Sequence, residues 1–177
     1  MQFDLSANFF DLFGLNAAFT INNSLLVTQF QELQKQLHPD KFASESDMAR
    51  RWSMQAASRV NEGYQTLKND LRRATYLLAL QGVSIDEETD TQMAPQFLME
   101  QMEYREALEE AEFAQDSMQA LDVIRKQLKA GVAEQTAAFG AEAGKQDWVQ
   151  ARLIVRQWQF LDKLAGEVKR AEERLDV

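Results

Sequence analysis

Apolar positions recur at helical spacing through most of this chain. "NNSLLVTQFQELQKQL" (22–37) places Leu26, Phe30, Leu33 and Leu37 at steps of 4, 3 and 4, after Asn and Ser residues suited to a helix start. "NFFDLFGL" (8–15) before it sets Phe9, Leu12 and Phe13 on one face, with Gly14 as a stop. Further on, Trp52, Ala56, Val60, Tyr64 and Leu67 form a second long stripe, continued by Leu71, Ala74 and Leu78. The first half therefore predicts a short helix, a long helix, a loop, a second long helix and a fourth helix. A short loop between two long amphipathic helices predicts an antiparallel pair.

The pattern lapses over "GVSIDEETDTQMAP" (82–95), which is acidic, lacks a stripe and ends in a proline suited to a first helical position. This segment reads as a linker between domains at 1–81 and 96–177. Three more helices are predicted at about 95–114, 116–139 and 146–175. Leu121, Ile124, Leu128 and Val132 line the middle one, and Ile154, Trp158, Leu161, Ala165 and Val168 the last. Gly140 and Gly144 are read as the break between them, and a three-helix bundle is the simplest packing.

Composition supports an all-α chain: 45% of the 177 residues are hydrophobic, while glycine and proline number only seven and two. There is no cysteine and one histidine, so disulfides and thiolate metal sites are excluded and no resident metal or cofactor is expected. No segment reaches the ~20 apolar residues of a membrane span, and the N-terminus shows no basic, then apolar, secretion signal. A cytoplasmic, monomeric protein is the expectation. Residues 1–81 hold eight basic and eight acidic side chains, whereas 82–177 hold eleven against twenty. The entire net charge of −9 thus belongs to the second half. That argues against nucleic-acid binding and fits two modules with different partners, one of them basic.

The single histidine lies in "KQLHPDKFAS" (35–44), between the two long helices. Alone, His38-Pro39-Asp40 is compatible with a plain helix stop, since Pro39 cannot continue a helix and restricts His38. A His–Asp acid–base pair is a second reading, with no nucleophile motif or phosphate loop to support an enzyme. With Lys41-Phe42 after it and "VNEGYQTL" at 60–67, the stretch resembles a J domain. That resemblance implies that His38, Pro39 and Asp40, with Lys41 and Lys35, bind a DnaK-type (HscA-like) chaperone and stimulate its ATPase. The physical sense is a loop stiffened by proline, which presents an imidazole and a carboxylate at little ordering cost. The helix at 23–37 carries only Lys35 as a base, a role Lys41, Arg50 and Arg51 can share. Gly63 is expected to weaken its helix by roughly 1 kcal/mol.

"DLRRATYLLALQGV" (70–83), "FLMEQMEYREALEE" (97–110) and "QFLDKL" (159–164) together resemble the HscB family, J-type co-chaperones of iron–sulfur cluster assembly, over about residues 8–175. The family's fold implies an L-shaped arrangement of J domain and three-helix bundle, and its role implies a non-enzymatic protein. The family's pattern for binding the (IscU-like) cluster scaffold falls on Leu98, Met99, Met102, Glu103, Arg105, Glu106 and Glu110, with Phe160 on the last helix. Six of the thirteen residues at 100–112 are glutamate, so an apolar cluster there would sit in an acidic rim. Core packing competes for the same helix, and a core of Phe97, Leu108 and Ala111 would leave the cluster exposed. A J protein serving another client, and a helical adaptor whose His-Pro-Asp is only a loop, are the alternatives.

Overall fold

The computed structural model describes residues 4–85 and 95–175. Among them are seven α-helices and no strand. The chain divides into two compact units, Met1–Leu77 and Leu78–Val177, the division falling inside the fourth helix, whereas the pattern alone placed it after 81. Most of the linker reading, 86–94, lies outside the described residues.

The first unit holds α1 (Phe9–Leu12), α2 (Asn23–Gln36), a 3₁₀ turn (Pro39–Phe42), α3 (Asp47–Leu67) and the start of α4 (Asp70–Leu80). Asn22 starts α2 as expected, its side-chain oxygen accepting from the Leu25 N–H at 3.0 Å. Phe30 of α2 stacks on Tyr64 of α3 at 3.9 Å, while Leu37 lines a groove with Ala57 and Val60. Later residues of α2 thus meet earlier residues of α3, the antiparallel pairing expected.

Helix α1 buries Phe9, Phe10 and Phe13, with Leu12 only half-buried, so the aromatic face is rotated from the predicted one. Gly14 ends the turn in the left-handed region at φ 61°. Gly63 of α3 has a packing reason: a Cβ there would lie 2.9 Å from Phe9 Cδ1 and 3.1 Å from Phe13 Cε2. Arg73, which no apolar pattern could flag, is buried. It donates to the Phe19 carbonyl at 2.7 Å, the Leu67 carbonyl at 2.5 Å and Asp70 Oδ1 at 2.6 Å. Three acceptors thus meet the guanidinium, which is why a charged residue is tolerated there.

The second unit is built on α5 (Pro95–Glu112), α6 (Ser117–Lys145) and α7 (Trp148–Leu175). Pro95 takes the first position of α5 as its chemistry favours. Leu121, Ile124 and Leu128 of α6 meet Leu161, Leu164, Val168 and Ala171 of α7, and Ala111 of α5 closes this core. The predicted break at Gly140–Gly144 is wrong. Helix α6 runs through both glycines and ends at Gln146, which takes the left-handed cap at φ 61°. Phe139, fully buried just before the two glycines, anchors this end of the helix, which continues past both despite the ~1 kcal/mol that each glycine costs.

Candidate functional site

The structure supports two exposed arrangements, one in each unit. In the first, α2 ends at Leu37, whose side chain is buried, and the chain turns sharply through the 3₁₀ segment. Pro39 sits at its first position and His38 caps it, the imidazole Nδ1 accepting from the Asp40 N–H at 3.3 Å. That bond leaves the other ring nitrogen to carry the proton while His38 is neutral. The Asp40 carboxylate stands 3.5 Å from the same Nδ1. Both side chains face water, His38 59% and Asp40 91% exposed. The hydrogen bond within the tripeptide thus orders two water-facing polar side chains.

Two contacts hold the turn's far end. The half-buried Phe42 ring lies 6.2 Å from Trp52 of α3 at 55°, and Arg50 Nη1 donates to the Ala43 carbonyl at 3.3 Å. Arg50 is itself steadied by Asp47. The exposed tripeptide is thus strung between two apolar pegs, Leu37 and Phe42. Sequence reasoning assigned Trp52 to the hydrophobic stripe and missed this second duty. A groove of ≈ 550 Å³ runs beside the turn, lined by Gln31, Lys35, Leu37, His38, Pro39 and Val60 among others. Lys41 is exposed, while Lys35 is bound to Glu32 at 3.0 Å, which reduces its free charge. Arg50 is likewise committed to α3.

In the second unit, α5 divides cleanly into two faces. Phe97 and Ala111 are buried, with Tyr104, Ala107 and Leu108 half-buried against the core. Burial first, then the nearby Glu100 carboxylate, raises the Tyr104 phenol pKa above its usual value. The opposite face carries Leu98, Met99 and Met102, which are 47%, 62% and 62% exposed. Glu103, Arg105, Glu106 and Glu110 are exposed around them, and Glu109, absent from the sequence-based set, stands on the same face. At 100° per residue the whole group spans an arc of about 160°, clear of the core stripe. The competition between core and surface is settled for these residues: the core takes Phe97, Leu108 and Ala111.

Phe160 behaves differently from the anchors with which it was grouped. It is half-buried against the core and meets Phe97 edge-to-face at 5.6 Å. Its ring therefore supports the base of α5. A second groove, ≈ 560 Å³, lies between α5 and α6 and is lined by Glu100, Glu103, Tyr104, Glu134 and Leu161 among others. Among the described residues no group of three His, Cys, Asp or Glu side chains could hold a metal ion, and no helix is long and apolar enough to cross a membrane.

Comparison with known proteins identifies the chain. Residues 93–169 match the family described as the HSCB C-terminal oligomerisation domain. A co-chaperone protein HscB homolog of Vibrio cholerae is 42% identical over 168 residues, which is 95% of this chain and 98% of the relative. The chain belongs to the HscB family of co-chaperones. An HscB homolog of Vibrio vulnificus matches at the same identity and coverage. The structure of chaperone HscB from Vibrio cholerae superposes with a TM-score of 0.86 at 40% identity, over 96% of this chain and 99% of that one. Human co-chaperone protein HscB superposes at 0.89 with 31% identity, over 96% and 84%. Jac1 co-chaperone from Saccharomyces cerevisiae, at 22% identity and 0.75, shares the HscB fold. The relatives are co-chaperones, and no catalytic family is among the matches reported.

Proposed function

We propose that this chain binds the scaffold protein on which iron–sulfur clusters are assembled, brings it to a dedicated DnaK-type chaperone and stimulates that chaperone's ATPase. The cluster is the scaffold's cargo, and the chain itself is neither an enzyme nor a cluster carrier. Residues 1–81 serve as the J domain, with His38, Pro39, Asp40, Lys41 and Lys35 toward the chaperone. Residues 96–177 serve as the scaffold-binding bundle, with Leu98, Met99, Met102, Glu103, Arg105, Glu106 and Glu110 toward the scaffold and Phe160 supporting them. The protein works in the cytoplasm as a monomer.

One observation carries the reading: an ordered, water-facing His-Pro-Asp turn and an apolar cluster rimmed with carboxylates occupy separate compact units. A helical adaptor would have no use for the first, and a J protein for an unrelated client no use for the second. The turn presents its groups with little left to order, which lowers the entropic cost of docking. The α5 face pairs methionine's adaptable apolar contact with a field that favours basic partners.

The test uses the purified chain, a DnaK-type chaperone and the scaffold. Wild-type protein should stimulate ATP hydrolysis, and Asp40→Asn and His38→Gln should abolish stimulation while melting at the wild-type temperature, because exposed substitutions of this kind shift stability by less than ~0.5 kcal/mol. Equal stimulation by Asp40→Asn sinks the chaperone half of the reading, and a wild-type chain that ignores the scaffold in a titration sinks the other half.

A further inference from the structure

We infer that the docking face of α5 continues past its apolar cluster along the whole helix to Phe113, where a second apolar anchor meets the same partner. The inference rests on the proposed function only for the partner's name, the cluster scaffold. The surface itself calls for a protein that presents a basic strip flanked by two apolar contacts.

Phe113 is 89% exposed, more than any other large hydrophobic residue among those described. It is not on a frayed end. Its N–H donates to the Glu110 carbonyl at 3.2 Å and that of Ala114 to Ala111 at 3.3 Å. Ser117 Oγ donates to the Ala114 carbonyl at 3.0 Å, and Asp116 caps α6. Arg174 Nη2 of α7 binds Glu112 Oε1 at 2.6 Å, tying this corner to the bundle. An ordered turn thus holds an aromatic ring in water.

A lone exposed hydrophobe is ordinary on protein surfaces, so exposure decides nothing by itself. Register and charge do. At 100° per residue Phe113 falls between Met102 and Glu106, on the face opposite Phe97 and Ala111. Between the two apolar ends stand Glu103, Glu106, Glu109 and Glu110, all exposed and none in an ion pair within the described residues. Several carboxylates elsewhere in the bundle are answered from within the chain, Asp122 by Lys126 and Arg125, Glu142 by Lys145 and Glu172 by Arg125, while Glu134, Asp162 and Glu167 stand singly among the described residues. Four such carboxylates beside the one Arg105 give this face a net negative charge, which complements a basic partner. Leu98 and Phe113 are about 22 Å apart at 1.5 Å per residue, which fits inside a single standard interface of roughly 800 Å² per partner.

Titration of the full chain with the purified scaffold protein tests this. Phe113→Ser should weaken binding about tenfold, leave the melting temperature unchanged and leave ATPase stimulation without scaffold intact. Phe113→Leu, which keeps an apolar anchor, should recover most of the affinity, and Glu109→Gln should flatten the dependence of affinity on salt. Phe113→Ser binding as tightly as wild type, beside a weakened Leu98→Ser, ends the face at the cluster and overturns the inference while the proposed function stands. A wild-type chain that does not bind the scaffold overturns both. A wild-type chain that dimerises on sedimentation, with Phe113→Ser monomeric and scaffold affinity unaltered, assigns the ring to a second copy and also overturns it.

Discussion

The turn at His38–Asp40 and the face of α5 present their side chains by opposite means. In the turn, backbone geometry does the presenting: a fixed proline, a 3.3 Å bond from the Asp40 N–H to the imidazole, and pegs at Leu37 and Phe42 define where two small polar groups point. On α5 the backbone is a plain helix, and the surface consists of which side chains fall on its outer arc. The difference teaches where each is vulnerable. The turn can be damaged by residues that never touch a partner, whereas the α5 face should lose affinity residue by residue, in proportion to the apolar contact removed.

The largest effect should come from stripping that face. Leu98→Ser, Met99→Ser and Met102→Ser together remove three exposed apolar side chains, each worth about 1–2 kcal/mol at an interface, so scaffold affinity should fall at least about a hundredfold. Melting should stay near wild type, because the three lie outside the core. Collapse of the bundle would show that they are core residues after all. Phe160 sharpens the contrast. Half-buried against Phe97, it should cost stability when truncated, and Phe160→Ala should lose about 2 kcal/mol in chemical denaturation. A Phe160→Ala chain with full stability but no scaffold binding would move it back among the exposed anchors.

The turn should answer to a residue at its foot. With Trp52→Ala the peg at Phe42 loses its wall, and the presented conformation should be populated less often. If only about a tenth of molecules keep it, the concentration giving half-maximal ATPase stimulation rises about tenfold while the maximum is kept. Trp52→Phe should restore most of the loss. A lower maximum with an unchanged half-point would mean that Trp52 acts on something other than presentation.

How much of this was legible beforehand follows the same division. Helical stripes were readable because burial imposes a 3.6-residue period, and they located α2, α3, α6 and α7, while leaving open which residues of α5 face the core. The turn at His38-Pro39-Asp40 was readable as a break between helices because proline cannot continue one. Three features were not. The end of α6 lies at Gln146, a non-glycine residue in the left-handed cap, where glycine propensity pointed to Gly140 and Gly144 instead. Arg73 is buried only because the Phe19, Leu67 and Asp70 acceptors converge on it in the folded state. The packing of Phe160 on Phe97 was not visible either, because an exposed and a half-buried aromatic have the same letter and the same spacing.

Gly63 offers the smallest effect and a test of packing against propensity. On helix preference alone, Gly63→Ala should stabilise α3 by up to about 1 kcal/mol. The structure argues the reverse, since the new methyl carbon would stand 2.9 Å from Phe9 Cδ1 and 3.1 Å from Phe13 Cε2. The Phe9 ring cannot swing aside freely: Tyr76 stacks on it at 4.7 Å and the Arg59 guanidinium lies over it at 5.0 Å. Overpacking of a filled core costs about 1–3 kcal/mol, more than the helix gains, so the variant should be less stable by about 1 kcal/mol. In a unit of this size that lowers its melting temperature by roughly 4–8 °C. ATPase stimulation measured well below the transition should be unchanged, because the docking turn is held by Leu37, Phe42 and Trp52 rather than by α1. A Gly63→Ala chain that melts higher than wild type would show that the rings of α1 yield more easily than their contacts imply.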